Sequence, residues 1–471
     1  MTTLIMKFGG TSVGSVNAHL QAAGIILDQD RKWDRLVVVV SAMSGVTDLL
    51  IQGARTASQG DDQTYQDIAE ELSSQHYQVV EEVLEDQEEQ ELLRSAIDQF
   101  MGRFAVLCNS INVLGELTPR ALDTISSFGE RINARILAAI LRQGGLKSEA
   151  VDSTELIITD DKFQNAVPLM DQTRSQIELK LIPRLDKGEV PVVTGFIAAT
   201  ESGITTTLGR GGSDYSASIL GVSLEADEVW IWTDVDGVMT SDPKIVPEAK
   251  SLPLLSYNEI SELAYFGAKV VHPRTIQPVV ENGIPLRVKN TANPTHPGTL
   301  IGQHPALAKN TVKAVTLIEG LSMVNVEGRG MMGVPGIAAR TFAAVASQGA
   351  SVLMITQASS EQSISFFLPM KDTESVLQAL MEEMARELAR KDIEKIWSTD
   401  HMVIVTAVGA GLRETPGIGA RIFGALAEVG INVIAVAQGS SECSISLAIA
   451  AKDAEHAVRQ IHTVVLDDSG G

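Results

Sequence analysis

The run Thr205-Thr-Thr-Leu-Gly-Arg-Gly-Gly-Ser-Asp-Tyr-Ser-Ala-Ser218 limits the architecture more than any other stretch of the chain. Upstream of it, Val190-Pro-Val-Val-Thr-Gly-Phe-Ile is a short apolar run that reads as a buried strand ending in a turn. Downstream, Ala217-Ser-Ile-Leu-Gly-Val is small and apolar enough to pack as a helix on a sheet. Between the two, Gly209, Gly211 and Gly212 bare the backbone N–H groups, and Ser213 or Asp214 is suited to cap the helix. Bare N–H groups at a helix start favour an anion, through both hydrogen bonding and the helix dipole. Arg210 adds a planar fork for a carboxylate or phosphate, and Asp214 an anion for a cation or an ammonium group. Tight-loop geometry alone accounts for the glycines. It leaves the Arg and the Asp unexplained, so a ligand loop is the better reading.

The rest of the chain supplies a sheet for that loop. Leu4-Ile-Met-Lys-Phe-Gly-Gly-Thr-Ser-Val-Gly is a strand running into a glycine turn, with Lys7 near its end, where open α/β sheets bind ligands. Gly9, Gly10, Thr11 and Ser12 offer amides and hydroxyls to phosphate oxygens there. The order is not that of a Walker loop, in which Lys follows the glycines. Arg35-Leu-Val-Val-Val-Val-Ser-Ala-Met-Ser-Gly-Val-Thr is a second strand with the character of a central parallel one, and it too ends in hydroxyls, among them Thr47. Glu130 falls near the start of the helix expected after Leu122; position alone explains it equally well as dipole complement or as ligand. Val229–Thr233 is another strand, followed by the turn Asp234-Val-Asp-Gly, which lacks the last carboxylate of a calcium loop. His272 has no His or Cys nearby and reads as structural. Strands alternating with helices to about residue 305 predict an open, mostly parallel α/β sheet sandwiched by helices.

Composition narrows the partners. The 471 residues carry 37 Lys and Arg against 59 Asp and Glu, a formal net charge of −22, so nucleic acid is not an expected partner. The acid concentrates in Glu81–Glu91, expected to form a solvated helix face. Cys108 and Cys443 have no paired spacing, which supports neither a disulfide framework nor a thiolate metal site. The start has no signal-peptide layout and no apolar run is long enough to span a bilayer; the expectation is a cytoplasmic protein without a membrane partner.

The last third repeats itself. Pro335-Gly-Ile-Ala-Ala-Arg returns as Pro416-Gly-Ile-Gly-Ala-Arg, and Gln357-Ala-Ser-Ser-Glu-Gln-Ser-Ile-Ser as Gln438-Gly-Ser-Ser-Glu-Cys-Ser-Ile-Ser, both 81 residues on. Each copy reads as a βαββαβ module. The first is followed by a strand at Ile393–Trp397, whereas the second runs out after its last helix; the spare strand at 311–318 is expected to complete it and so interlock the pair. Expected boundaries are 1–305, 306–395 and 396–471.

Six ordered motifs carry a resemblance: Lys7-Phe-Gly-Gly-Thr-Ser, Ser41-Ala-Met-Ser-Gly-Val-Thr, Phe128-Gly-Glu-Arg, Thr207-Leu-Gly-Arg-Gly-Gly-Ser-Asp-Tyr, Trp232-Thr-Asp-Val-Asp-Gly-Val and Phe266-Gly-Ala-Lys-Val-Val-His-Pro. With the repeat, the chain resembles the aspartate kinases of the amino-acid kinase superfamily, carrying two ACT regulatory modules. That resemblance implies phosphoryl transfer from ATP, with Mg²⁺, to the β-carboxylate of L-aspartate. It implies Lys7 on the transferring phosphate and Thr47, Glu130, Arg210, Gly211, Ser213 and Asp214 around the amino acid, Asp214 with a catalytic part. It places Thr233, Asp234 and Lys269 at the nucleotide, bordered by Met239 and Lys244 where many relatives have Tyr and Arg. The regulatory repeat is most similar to kinases fused to homoserine dehydrogenase, which implies feedback by threonine first and lysine second through Gln357 and Gln438. The chain stops at Gly471, so a monofunctional kinase is expected, assembled as a homodimer or homotetramer through its ACT modules. Alternatives are an ATP-independent amino-acid sensor and another carboxylate kinase of the superfamily.

Overall fold

The computed structural model describes residues 1–268, 271–303, 312–332, 334–357, 362–412, 415–438 and 443–466, in two compact units. Lys269 and Thr311 lie outside the described residues. No helix among those described is long and apolar enough to cross a membrane.

The first unit comprises Met1–Val238, Ser251–Tyr257 and Val270–His304. Its strands are β1 (Thr3–Phe8), β2 (Arg35–Val40), β3 (Ser148–Val151), β4 (Ile158–Thr159), β5 (Val190–Thr194), β6 (Ile197–Thr200), β7 (Thr205–Thr207), β8 (Glu228–Thr233), β9 (Leu254–Ser256), β10 (Leu286–Asn290) and β11 (Thr299–Gly302). Eight of them form one sheet in the order β3-β5-β2-β1-β8-β10-β11-β9. Every ladder is parallel except β10/β11, so the open, mostly parallel sheet predicted from the alternation of strands and helices is present. All six residues of β1 are buried, and so are the five after Arg35 in β2. Helices cover both faces, which is why these strands are unbroken apolar runs and not alternating ones. Phe128–Gln143 is the most deeply placed helix and buries all but four of its sixteen residues. A separate short helix, Pro119–Ser126, capped by the Thr118 hydroxyl, precedes it.

The acidic run differs from expectation. It spans two helices, Thr64–Val83 and Gln87–Leu114, with extended backbone at Leu84 and at Asp86 between them. Asp86 accepts the Glu88 N–H and caps the second helix, and Glu88 and Glu89 face its positive end.

The second unit comprises Met239–Lys250, Asn258–Lys269 and Pro305–Gly471. Its six strands are β12 (Ala314–Glu327), β13 (Met354–Gln357), β14 (Ser363–Pro369), β15 (Lys395–Val408), β16 (Ala435–Ala437) and β17 (Ser444–Ala450), ordered β13-β14-β12-β15-β17-β16. The long antiparallel pair β12/β15 breaks register around Ile318–Met323. Beyond that break, Met323–Glu327 lies between β14 and the first half of β15. Before it, Ala314–Ile318 pairs with Ile404–Val408, whose other neighbour is β17. The first four-stranded module is thus closed by its own following strand, Lys395–Thr399, and the second by Ala314–Ile318, which precedes the first, as the spare strand was expected to do. Two apolar cores lie under the helices, one around Phe366 and Val376 and one around Ile422 and Ile461; a third, around Phe367 and Met402, joins the halves.

Two segments from before residue 305 are built into this unit. Thr240 accepts the Val315 N–H at its carbonyl (2.8 Å) and meets His462 Nε2 at its hydroxyl (3.0 Å). On the helix Tyr257–Tyr265, Glu259 is fully buried; it ion-pairs with Lys313 (2.8 Å) and accepts the Ala410 N–H (2.8 Å). One turn on, Glu262 accepts the Ser444 hydroxyl at 2.7 Å.

Candidate active site

Strands β1, β2, β5 and β8 run in parallel and end on one edge, so the loops after them share a rim. A cleft of about 540 Å³ opens there, lined by Lys7, Gly10, Ser41–Gly45, Thr47, Glu130 and Arg210–Asp214 among others. The predicted phosphate and amino-acid residues thus come together from stretches far apart in sequence.

Lys7, next to last in β1, points its ammonium at Asp214 Oδ1, 2.6 Å away, with both side chains close to nine-tenths buried. That carboxylate oxygen has no aligned hydrogen bond, so the pair is a charge contact and not a saturated bridge. In the turn after β1, Gly10 lines the cleft while Thr11 is exposed. Gly9 N–H and the Ser12 hydroxyl both bond to the Trp232 carbonyl (3.2 and 3.3 Å), and Ser12 also accepts from the Thr291 hydroxyl, so these two serve the frame.

The glycine loop leaves β7 and enters the helix Gly212–Ser223. Gly209 and Gly211 have φ of 76° and 73°, left-handed values that let Arg210 turn outward between them. Gly211 itself is the N-cap, with no side-chain cap, and Ser213 and Asp214 stand inside the first turn. The expected capping by Ser213 or Asp214 is therefore corrected: the chain reverses too tightly for a side-chain cap, and both residues are left facing the cleft. Arg210 is exposed and makes no ion pair among the described residues.

Glu130 sits in the first turn of Phe128–Gln143 and is 3% exposed. A Cβ on Gly129 would lie 2.7 Å from the Ala42 side chain, so only glycine lets the loop after β2 press onto this helix start. The Ala42 N–H then donates to the Glu130 carboxylate, while its Oε2 has no hydrogen-bond partner. Burial dominates and pushes the carboxyl up to about 7. A buried anion with one open oxygen, beside a cleft, fits a cationic ligand group. The fold holds this proton more tightly than the unfolded chain, so the group favours folding below its ordinary 4.5, and that contribution is lost as pH rises through 7. Glu130→Gln is therefore expected to melt higher than the parent at pH 8. For a ligand whose ammonium group pairs with this carboxylate, it is also expected to flatten a kcat/KM profile that otherwise rises about tenfold per pH unit below neutrality. Melting curves and kcat/KM between pH 5.5 and 9 check both.

The remaining predicted residues lie elsewhere. Thr233, whose hydroxyl donates to Asp234 (3.1 Å), ends β8 on the same edge but is outside the cleft lining. Asp236 accepts from Asn290 and Asn293 and fixes the turn that follows. Met239, half-buried, and Lys244, exposed, belong to the second unit. Gln357 ends β13 and Gln438 follows β16, both exposed in that unit. His272 caps the helix Pro273–Glu281, a structural use.

Several residues of the site were not picked out from sequence. Asp48, Arg55, Asp123, Gln164 and Phe196 line the cleft. Behind it, buried His19 holds Asn133 Oδ1 at 2.7 Å, and Asn133 donates to the Ser41 carbonyl at 2.7 Å, which fixes the loop after β2. Asp123 has its carboxyl raised by burial and pulled back by donors from Gln164 and Thr207. No local pattern marks any of them; each acts through a contact distant in sequence.

A model of the amino acid kinase family matches residues 2–290, and ACT domain matches cover 324–384 and 405–465. The chain belongs to the amino acid kinase family, with a pair of ACT domains after the kinase region. It is 37% identical to the chloroplast bifunctional aspartokinase/homoserine dehydrogenase 2 of Arabidopsis thaliana over 98% of its own length, and spans half the length of that relative. It is 35% identical to Arabidopsis thaliana chloroplast aspartokinase 3, over 99% of this chain and 82% of that protein. The crystal structure of E. coli aspartokinase III with aspartate and ADP (R-state) superposes with a TM-score of 0.83 at 28% identity, over 98% of this chain and 99% of the other. With lysine and aspartate (T-state), the same protein gives 0.78 at 28% identity, over the same shares of each chain. The resemblance drawn from the six motifs holds at the level of the family.

Proposed function

We propose that this chain is an aspartate kinase: it moves the γ-phosphoryl group of ATP onto the β-carboxylate of L-aspartate, giving 4-phospho-L-aspartate and ADP. The observation that carries the reading is the pairing of opposite charges across one cleft. Exposed Arg210 offers a fork for an α-carboxylate, and buried Glu130 has an open oxygen for an α-ammonium. Lys7, near the end of β1, lines the same cleft and offers a cation for the phosphoryl oxygens. In the reaction a carboxylate O–P bond forms and the bond from γ-phosphorus to the bridging oxygen breaks, the electrons leaving with ADP. The nucleophile is ionised at neutral pH, so positioning and charge neutralisation suffice, without a strong base.

Thr47, Ser213 and Gly211 complete the amino-acid side of this reading, and Gly10 the phosphate side. Thr233 and Asp234 are assigned to the nucleotide. Mg²⁺ is assigned to the nucleotide, with which it would arrive and supply charge neutralisation when bound. Regulation is assigned to the ACT pair, with threonine the first candidate effector and lysine the second, at Gln357 and Gln438. Assembly as a homodimer or homotetramer through the ACT modules is supported by Ile355 and Val436, exposed on the edge strands β13 and β16.

Coupled ADP release with MgATP and L-aspartate, alone and with threonine, lysine or both, tests the whole reading. The expected result is aspartate-dependent turnover suppressed by one effector. Turnover indifferent to both would remove the regulatory assignment, and none with aspartate would remove the kinase.

A further inference from the structure

Asp123, like Asp48, is a carboxylate of the cleft to which neither the sequence motifs nor the reaction chemistry gives work, and unlike Asp48 it is buried. It is 1% exposed, on the helix Pro119–Ser126, and lines the cleft. Its donors come from two loops remote from it in sequence. The Gln164 N–H reaches both oxygens, at 3.1 and 2.9 Å. Thr207 gives its N–H to Oδ2 (3.1 Å) and its hydroxyl to Oδ1 (2.8 Å). The two loops meet again one step later: Ala166 N–H bonds to the Thr207 carbonyl at 2.9 Å. A Cβ on Gly209 would lie 3.1 Å from the Gln164 carbonyl and 3.0 Å from Asn165 Oδ1. Gln164 itself holds a left-handed φ of 67°, a strained value for a residue with a side chain, kept in place by its bond to the carboxylate.

Thr207 is the last residue of β7, and Arg210 follows three positions later between two left-handed glycines. Such a segment has little stiffness of its own. Its far end is held by the helix Gly212–Ser223, and its near end by Asp123 alone among the side chains of the cleft. We propose that Asp123 is a positioning residue: by clamping Thr207 and Gln164 on either side of Gly209, it sets the path of the loop and presents Arg210 to the substrate α-carboxylate. The inference rests on the aspartate kinase reading. It adds that amino-acid affinity, and not phosphate chemistry, depends on this carboxylate.

Two variants test it in steady-state ADP release. Asp123→Asn puts an NH2 group among N–H donors, and Thr207→Val removes only the hydroxyl while keeping β7. Asp123→Asn is expected to raise the aspartate KM by about tenfold and Thr207→Val by about threefold, with the ATP KM within about twofold of the parent in both. The double variant should match Asp123→Asn alone, because the Thr207 hydroxyl acts through the carboxylate. A carboxylate that merely held the fold would move both KM values or lower kcat with the fraction of folded protein. An unchanged aspartate KM in Asp123→Asn, or additive effects in the double variant, would overturn the proposal. Should Asp123→Asn fail to fold, an unchanged aspartate KM in Thr207→Val overturns it alone. Absence of aspartate-dependent turnover in the parent protein is a separate result, which removes the kinase reading and this inference with it.

Discussion

On the aspartate kinase reading, Lys7→Ala is expected to lower kcat roughly 10²–10³-fold at saturating aspartate and ATP, with little change in the aspartate KM. The ammonium is nearly buried at the end of β1, where the phosphoryl group would gain charge, and nothing else cationic stands within the strand to replace it. The same substitution strands Asp214, a buried carboxylate whose counter-charge is 2.6 Å away in the parent. Part of any loss would then be a loss of folded protein. Lys7→Met with Asp214→Asn separates the two effects, since it removes both charges and keeps the volume. Its melting temperature should return toward that of the parent while turnover stays low. A coupled assay beside a thermal melt reads both, and near-native kcat in Lys7→Ala would strip this residue of its phosphate role.

A second large effect is expected far from the chemistry. Glu259→Ala leaves Lys313 in the interior without its carboxylate and also deprives the Ala410 N–H of its acceptor. Breaking a buried pair from one side costs about 3–5 kcal/mol, because the remaining charge keeps its desolvation penalty. For a unit of this size that corresponds to a melting temperature lower by about 10 °C. Glu259→Gln with Lys313→Met should recover most of the loss, since neither residue then carries a buried charge. Differential scanning calorimetry of the full chain checks both variants; an unshifted transition in Glu259→Ala would show that the pair contributes nothing to the second unit.

How much was legible in the sequence follows from how local each signal is. The runs Leu4–Phe8 and Leu36–Val40 had to be parallel strands covered on both faces, and they are. The glycine loop was readable because no other residue type enters two left-handed turns around an Arg so readily. The capping of the following helix was not, since the choice between Gly211 and Ser213 depends on how sharply the chain reverses. Asp123 was missed for a stronger reason: its donors lie 41 and 84 residues away, and no spacing rule reaches that far. Glu259 was missed likewise, because an acid on an amphipathic helix reads as solvated until Lys313, 54 residues on, is seen against it.

The borrowed outer strand of the second module has a practical bearing on engineering. The two ACT modules look like interchangeable cassettes in the repeat, yet a crossover between them would leave the second four-stranded sheet with an orphaned ladder, since its outer strand, Ala314–Ile318, lies ahead of the first copy. A transplant beginning at residue 305 would fare no better, for it abandons Glu259 and Thr240 in the donor gene. A chimera that swaps effector response between relatives must carry Met239–Lys250 and Asn258–Lys269 along with the tail, so the heritable unit of regulation is discontinuous in the gene.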